Sequence, residues 1–158
     1  MVKFNALALT AALVGLSQAV GQSKVTNNCD SSVYLWVVGS NQDGPYEVKP
    51  GKQWKKTYFH DAKTGGVAIK VARQSDGLPA GDPHTIFSYT LDPDRVWYDL
   101  SNVFGDPFEG ENLLLRGAPP CPSIEWPEGV PTGGRSQTLR TVDCGPDKDT
   151  NLYLCGLK

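Results

Sequence analysis

The placement of four cysteines constrains this chain more than any other feature. Cys29 follows closely on an apolar leader, Cys121 and Cys144 stand in the C-terminal third, and Cys155 lies close to the last residue. An even cysteine count behind an export signal reads as a disulfide framework, and four cysteines leave three connectivities open. Cysteines used in this way cannot serve as nucleophiles. The leader itself is well formed. Lys3 supplies a positive start, residues 6–16 are apolar but too short to span a bilayer, and Ser17-Gln18-Ala19 has the small-x-small form of a cleavage site. Residues 1–19 are therefore expected to be removed, with the mature chain starting at Val20. Cleavage after Gly21, leaving Gln22 first, is the alternative.

The remaining residues, 20–158, are one domain's worth of chain, enough for a core that disulfides reinforce and need not replace. The product is expected to be secreted, extracellular or in a cell wall, and monomeric. The formal charge of the whole sequence is -2, and no basic patch with interleaved aromatics is visible. Neither nucleic acid nor a membrane surface is an expected partner. No Asn-x-Ser/Thr acceptor for glycosylation occurs.

The apolar runs are short and alternate with a period of two. Val33, Leu35 and Val37 share one face, while Tyr34, Trp36 and Val38 share the other. Both faces are apolar, which predicts a strand inside a sheet covered on both sides. Val67, Ile69 and Val71 alternate with Ala68, Lys70 and Ala72; Phe87, Tyr89 and Leu91 alternate with Ser88 and Thr90; Val96, Tyr98 and Leu100 alternate with Trp97, Asp99 and Ser101. Residues 138–142 and 150–154 are the last two candidates. Turn signals separate the runs, and Asp92-Pro93-Asp94-Arg95 reads as a tight hairpin. No window shows a helical stripe. The pattern predicts an all-β antiparallel sandwich, with a long Pro/Gly-rich excursion over residues 105–131 that holds Cys121.

Several of these blocks are familiar. Val25-Thr26-Asn27-Asn28-Cys29 followed by Val33-Tyr34-Leu35-Trp36 resembles the opening of thaumatin-like proteins, and Pro50-Gly51-Lys52-Gln53-Trp54 resembles a turn of that superfamily. The block from Val96-Trp97-Tyr98-Asp99-Leu100-Ser101-Asn102-Val103 to Phe108, then Cys121-Pro122, Trp126-Pro127-Glu128-Gly129-Val130-Pro131 and Leu152-Tyr153-Leu154-Cys155, is similar to the Blastomyces yeast-phase-specific proteins, fungal antigenic thaumatin-like proteins. The resemblance implies a secreted fungal β-sandwich with the pairings Cys29–Cys155 and Cys121–Cys144.

It also frames the question of catalysis. Some thaumatin-like proteins bind or weakly hydrolyse β-glucan through an acidic cleft, and glycoside hydrolysis needs two carboxylates flanking the bond. The superfamily's glutamate falls here on Ser88 and one of its aspartates on Phe104. Asp99 remains, read first as a structural carboxylate bonded to backbone N–H groups, with a ligand contact as the alternative. Asp106, Glu109 and Glu111 could rebuild an acidic rim, although solvated loop charges are the common case. Among the tryptophans, Trp126 lies in the excursion and is the candidate for stacking on a sugar, with stapling of the excursion as the competing role. His60 beside Asp61 and His84 near Asp82 lack metal-ligand spacing, so no metal or cofactor is expected. The expected function is non-catalytic binding of a cell-wall polysaccharide or other surface by an antigen. The alternatives are a virulence-associated effector acting on a host protein, and a weak β-glucan hydrolase.

Overall fold

The computed structural model describes residues 19–132 and 142–157. Residues 1–18 of the expected leader (1–19) and residues 138–141 of the strand expected at 138–142 lie outside the described residues; Val142 begins a described strand. Eleven strands and one short helix follow one another among them: β1 (Gln22–Asn27), β2 (Val33–Val38), β3 (Gln42–Val48), β4 (Gln53–Thr57), β5 (Val67–Ala72), α1 (Gly77–Ala80), β6 (His84–Leu91), β7 (Val96–Val103), β8 (Leu113–Gly117), β9 (Ser123–Trp126), β10 (Val142–Cys144) and β11 (Thr150–Leu154). They form two sheets, ordered β4-β1-β11-β8-β9 and β10-β7-β6-β5-β2-β3.

The period-two patterns fix which side of each strand faces inward. Val33, Leu35 and Val37 of β2, Ile69 and Val71 of β5, Phe87 of β6 and Tyr98 and Leu100 of β7 meet Val25, Leu113, Leu115, Leu152 and Leu154 of the other sheet in one core. Trp36 is also buried, on the outer face of β2, as the two apolar faces of that strand predict. The predicted hairpin joins β6 to β7, closed by the Asp92 N–H donating to the Arg95 carbonyl at 2.9 Å.

One pairing departs from the antiparallel expectation. β1 and β11, the first and last strands, run parallel, with Asn27 opposite Leu154. Parallel pairing brings the C-terminal ends of both strands together, and the cysteine just beyond each one can then bond. Cys29 and Cys155 are joined with Cα atoms 5.1 Å apart. The buried Asn27 amide shapes the approach, donating to the carbonyls of Ser31 (2.8 Å) and Val48 (2.7 Å) and accepting the Cys29 N–H (3.0 Å). The second bond, Cys121–Cys144, ties the segment between β8 and β9 to β10, and so links one sheet to the other. Both bonds match the pairing that the family resemblance implies.

The stretch 105–131 contributes two strands of the five-stranded sheet, β8 and β9. Its burial is substantial: Phe108, Leu113 and Leu115 have no exposed surface, and Ile124 and Trp126 are buried beside them. Gly129 closes this region at φ 69°, where a Cβ would lie 1.8 Å from the Phe108 carbonyl oxygen. Only glycine fits there, because both the left-handed backbone and the close approach exclude a side chain.

Candidate functional site

Register places four outward side chains in one row across the six-stranded sheet. Val38 of β2 is opposite Ala68 of β5, Ala68 is opposite Ser88 of β6, and Ser88 is opposite Asp99 of β7. The two central members are small, whereas the corresponding residues of the next row, Lys70 and Ile86, are larger. The floor is therefore low, and a groove of about 430 Å³ opens over it, bordered by Gly39, Thr64, Thr90 and Trp97. That size suits a small ligand or a few units of a polymer.

The rim on the loop side is held by one carboxylate. Asp61 accepts hydrogen bonds from the Ser40 N–H (2.7 Å) and hydroxyl (2.8 Å), and from the Lys63 and Thr64 N–H groups (3.0 Å each). It thereby clasps the β2–β3 turn to the loop before β5. These bonds, that of the Ser40 backbone first, hold the Asp61 carboxyl far below the usual carboxylate range. On the opposite side, the Trp97 indole N–H donates to Asp92 (2.9 Å), and the Arg95 guanidinium lies 5.2 Å from the ring centroid. Trp97 is thus a half-buried aromatic held at a fixed angle beside the groove.

Asp99 is the carboxylate among the groove-lining residues. Its Oδ1 is buried and has no hydrogen-bond partner, while burial pushes its carboxyl above the usual range and the Leu100 N–H only partly offsets that. Asp99 and Asp61 therefore respond to pH with opposite signs. The raised Asp99 pKa means that the folded state binds the proton more tightly, so its contribution to stability falls as pH rises through and above 3.8. The depressed Asp61 pKa means that its contribution is present above 3.8 and is lost as pH falls toward the folded value. Asp99→Asn should gain melting temperature over the parent at pH 7 and lose that gain at pH 3, whereas Asp61→Asn should show a deficit that is larger at pH 7. An Asp99→Asn difference that is the same at both pH values would refute the assignment.

The sequence-predicted rim lies elsewhere. Asp106, Glu109 and Glu111 form a turn beyond the C-terminal end of β7, whereas Asp99 faces the groove from the middle of that strand. Asp106 Oδ1 accepts the Asn102 amide (2.8 Å) and its carbonyl accepts the Glu109 N–H (3.1 Å). Arg73, which feels the charge of Glu111, donates to the Pro107 carbonyl (3.1 Å) and lies 4.2 Å over the Phe108 ring. The three acids do not border the groove. Trp126 requires a correction: it is only 4 % exposed, on the inward face of β9, and presents no ring face to a sugar. Its large apolar surface is taken up by the core, which is the stapling role. His60 and Asp61 do not converge either, since Asp61 turns to backbone donors and the exposed His60 meets the Leu91 carbonyl (3.1 Å). Among the described residues no group of three or more His, Cys, Asp or Glu gathers as metal ligands would. Trp97, Asp61 and the Ser88–Asp99 pair are what sequence reasoning missed as a site. Ser88, Trp97 and Asp99 lie on the outward faces of good strands, whereas Asp61 lies in the loop between β4 and β5, and no local spacing joins the four.

Two sheets in this order, with the first and last strands stapled and a groove over the outer face of the larger sheet, define a thaumatin-like β-sandwich. The elicitor MoHrip2 from Magnaporthe oryzae superimposes with a TM-score of 0.69 at 20 % identity, over 86 % of this chain and 99 % of that one. The thaumatin-like xylanase inhibitor TLXI does so with a TM-score of 0.57 at 13 % identity, over 85 % and 99 %. An antigenic thaumatin-like protein of Arthroderma benhamiae is 31 % identical over 160 aligned positions, 95 % of this chain and 80 % of that protein. The family model described as Blastomyces yeast-phase-specific protein matches residues 10–156, and the chain belongs to that family.

Proposed function

We propose that this is a secreted, non-catalytic thaumatin-like protein of a fungal surface or cell wall, whose groove beside Trp97 and Asp99 holds a neutral polysaccharide. The groove is the observation behind the reading. It joins a fixed aromatic ring to hydroxyls (Ser88, Thr64, Thr90) and the carboxylate residue Asp99, a combination that suits sugar hydroxyls and the apolar face of a sugar ring. Catalysis of glycoside hydrolysis needs a second carboxylate about 5–9.5 Å away. Across the strand from Asp99 stands Ser88, where the larger thaumatin-like proteins have glutamate.

Sedimentation of the mature protein with insoluble β-1,3-glucan or chitin is the test, with reducing-sugar release measured in parallel. Retention that is lost in Trp97→Ala, without sugar release, is the expected result; a supernatant that keeps all the protein would overturn it. Sugar release abolished by Asp106→Asn with Glu109→Gln would instead favour the hydrolase reading. A second reading, action on a host protein, draws on the structural neighbours: one is an elicitor and another a xylanase inhibitor. Capture of a host protein by a chain that ignores polysaccharide would favour it.

Export is part of this reading, and the two disulfides suit an oxidising compartment. Of the two cleavage sites, the fold favours Ala19. The Gly21 N–H donates to the Pro146 carbonyl (2.8 Å) and the Gly21 carbonyl accepts the Tyr58 N–H (3.0 Å), so a chain starting at Gln22 would lose both bonds. The intact mass of the secreted product should correspond to a start at Val20; a mass starting at Gln22 would contradict the argument.

A further inference from the structure

The outer face of the five-stranded sheet is polar, and register sets its residues in rows. Lys55 of β4 is opposite Lys24 of β1, Lys24 is opposite Asn151 of β11, and Asn151 is opposite Arg116 of β8. Three cations are thus brought into one line from segments far apart in sequence. Lys55 and Arg116 stand about 14 Å apart, three strand spacings of about 4.8 Å. Between them, Lys24 is already paired with Asp149 at 2.6 Å. Lys55 and Arg116 are exposed, and neither has an ion-pair or hydrogen-bond partner among the described residues.

The adjacent row is Gln53, Thr26, Tyr153 and Leu114. Its polar members are held rigidly: the Thr26 hydroxyl accepts from Gln53 Nε2 (2.8 Å) and from Asn151 Nδ2 (3.0 Å). A depression of about 330 Å³ covers the Arg116 side of these rows, lined by Lys24, Gln53, Arg116, Asn151 and Tyr153, with Asp149, the partner of Lys24, also in its wall; Lys55 stands outside it. Beyond it, on β9, Glu125 accepts the Asn112 amide (3.1 Å).

We propose that this face is a second ligand surface, independent of the groove on the opposite sheet, and that it takes an extended acidic glycan bearing carboxylates. Lys55 and Arg116 would meet two separate carboxylates along the extended chain, not adjacent ones, the guanidinium offering the bidentate geometry that a carboxylate fits. The Tyr153 ring and the fixed amides of Gln53 and Asn151 supply the remaining contacts that a sugar needs and a bare charge does not. The cations are arranged on one side of a chain whose net charge is -2, so the molecule as a whole does not attract polyanions.

The test uses the mature protein and an oligogalacturonate of about ten units, in calorimetry at low salt and again at 0.5 M NaCl, with a β-1,3-glucan oligomer and a single-stranded DNA of matched charge as comparators. Binding of the oligogalacturonate that weakens at high salt is expected, with about a tenfold loss in Lys55→Gln/Arg116→Gln. Asp99→Asn on the opposite sheet should leave this affinity unchanged, as should Lys49→Gln/Lys63→Gln, which removes two cations outside the row. No binding by the parent, equal affinity in the Lys55/Arg116 variant, or equal affinity for the DNA would overturn the proposal. Both altered side chains are exposed, and an unchanged melting temperature will show that the double variant is folded.

Discussion

Replacing both Cys29 and Cys155 with alanine should lower stability by about 5 kcal/mol, the unfolded-state entropy set free when a loop of this length is opened. The separation is 126 residues, against 23 for Cys121–Cys144, for which the same reasoning gives about 3 kcal/mol. In a domain of this size the larger loss corresponds to a fall in melting temperature of about 15 °C. Scanning calorimetry of the two double variants provides the comparison. The ends are also joined without sulfur: the Asn28 amide donates to the Gly156 carbonyl (2.6 Å), the Asn28 N–H to the Leu154 carbonyl (3.1 Å), and Lys24 pairs with Asp149. The variant should therefore still fold, with a lower melting point. Greater damage from losing Cys121–Cys144 would show that linking the sheets matters more than closing the chain.

Trp126→Ala should cost about 3–5 kcal/mol, the range for emptying a large aromatic site in a core. Trp126 is buried opposite Leu113 in the β8–β9 pair, within the same core as Phe108 and Leu115. Trp126→Phe should recover part of the loss by keeping an aromatic ring in the space. Thermal unfolding of both variants, beside the polysaccharide sedimentation already described, separates structure from recognition. A protein that melts normally yet no longer sediments would restore Trp126 as a contact residue.

The Cys29–Cys155 bond and Trp126 also mark where the sequence could be read and where it could not. Strands β2, β5, β6 and β7 were legible because each alternates cleanly, and β1 and the disulfides because the family's blocks surround them. The stretch 105–131 was misjudged by its prolines and glycines. Leu113, Leu114 and Leu115, followed by the alternation of exposed Ser123 and Glu125 with buried Ile124 and Trp126, are ordinary strand signals set between turns. The parallel seam of β1 and β11 was not legible, since periodicity gives a strand's inner face and says nothing of its neighbour's direction. Nor was either candidate surface. Val38, Ala68, Ser88 and Asp99 form a row only through three separate registers, and Lys24, Lys55 and Arg116 through three more. Sites built across strands leave no local spacing to recognise. Charged residues clustered in sequence, such as Asp106, Glu109 and Glu111, drew attention because they were adjacent.

The Cys29–Cys155 bond has a mechanical consequence. A pull applied between a residue before β1 and one after Cys155 runs along β1, crosses the sulfur bridge and leaves through the last few residues. Everything from residue 30 to residue 154 is short-circuited from that load. A protein anchored at one end and tugged at the other would lengthen only by its short terminal segments: β1 alone among the strands bears the load, and the six-stranded sheet with its groove keeps its shape under tension.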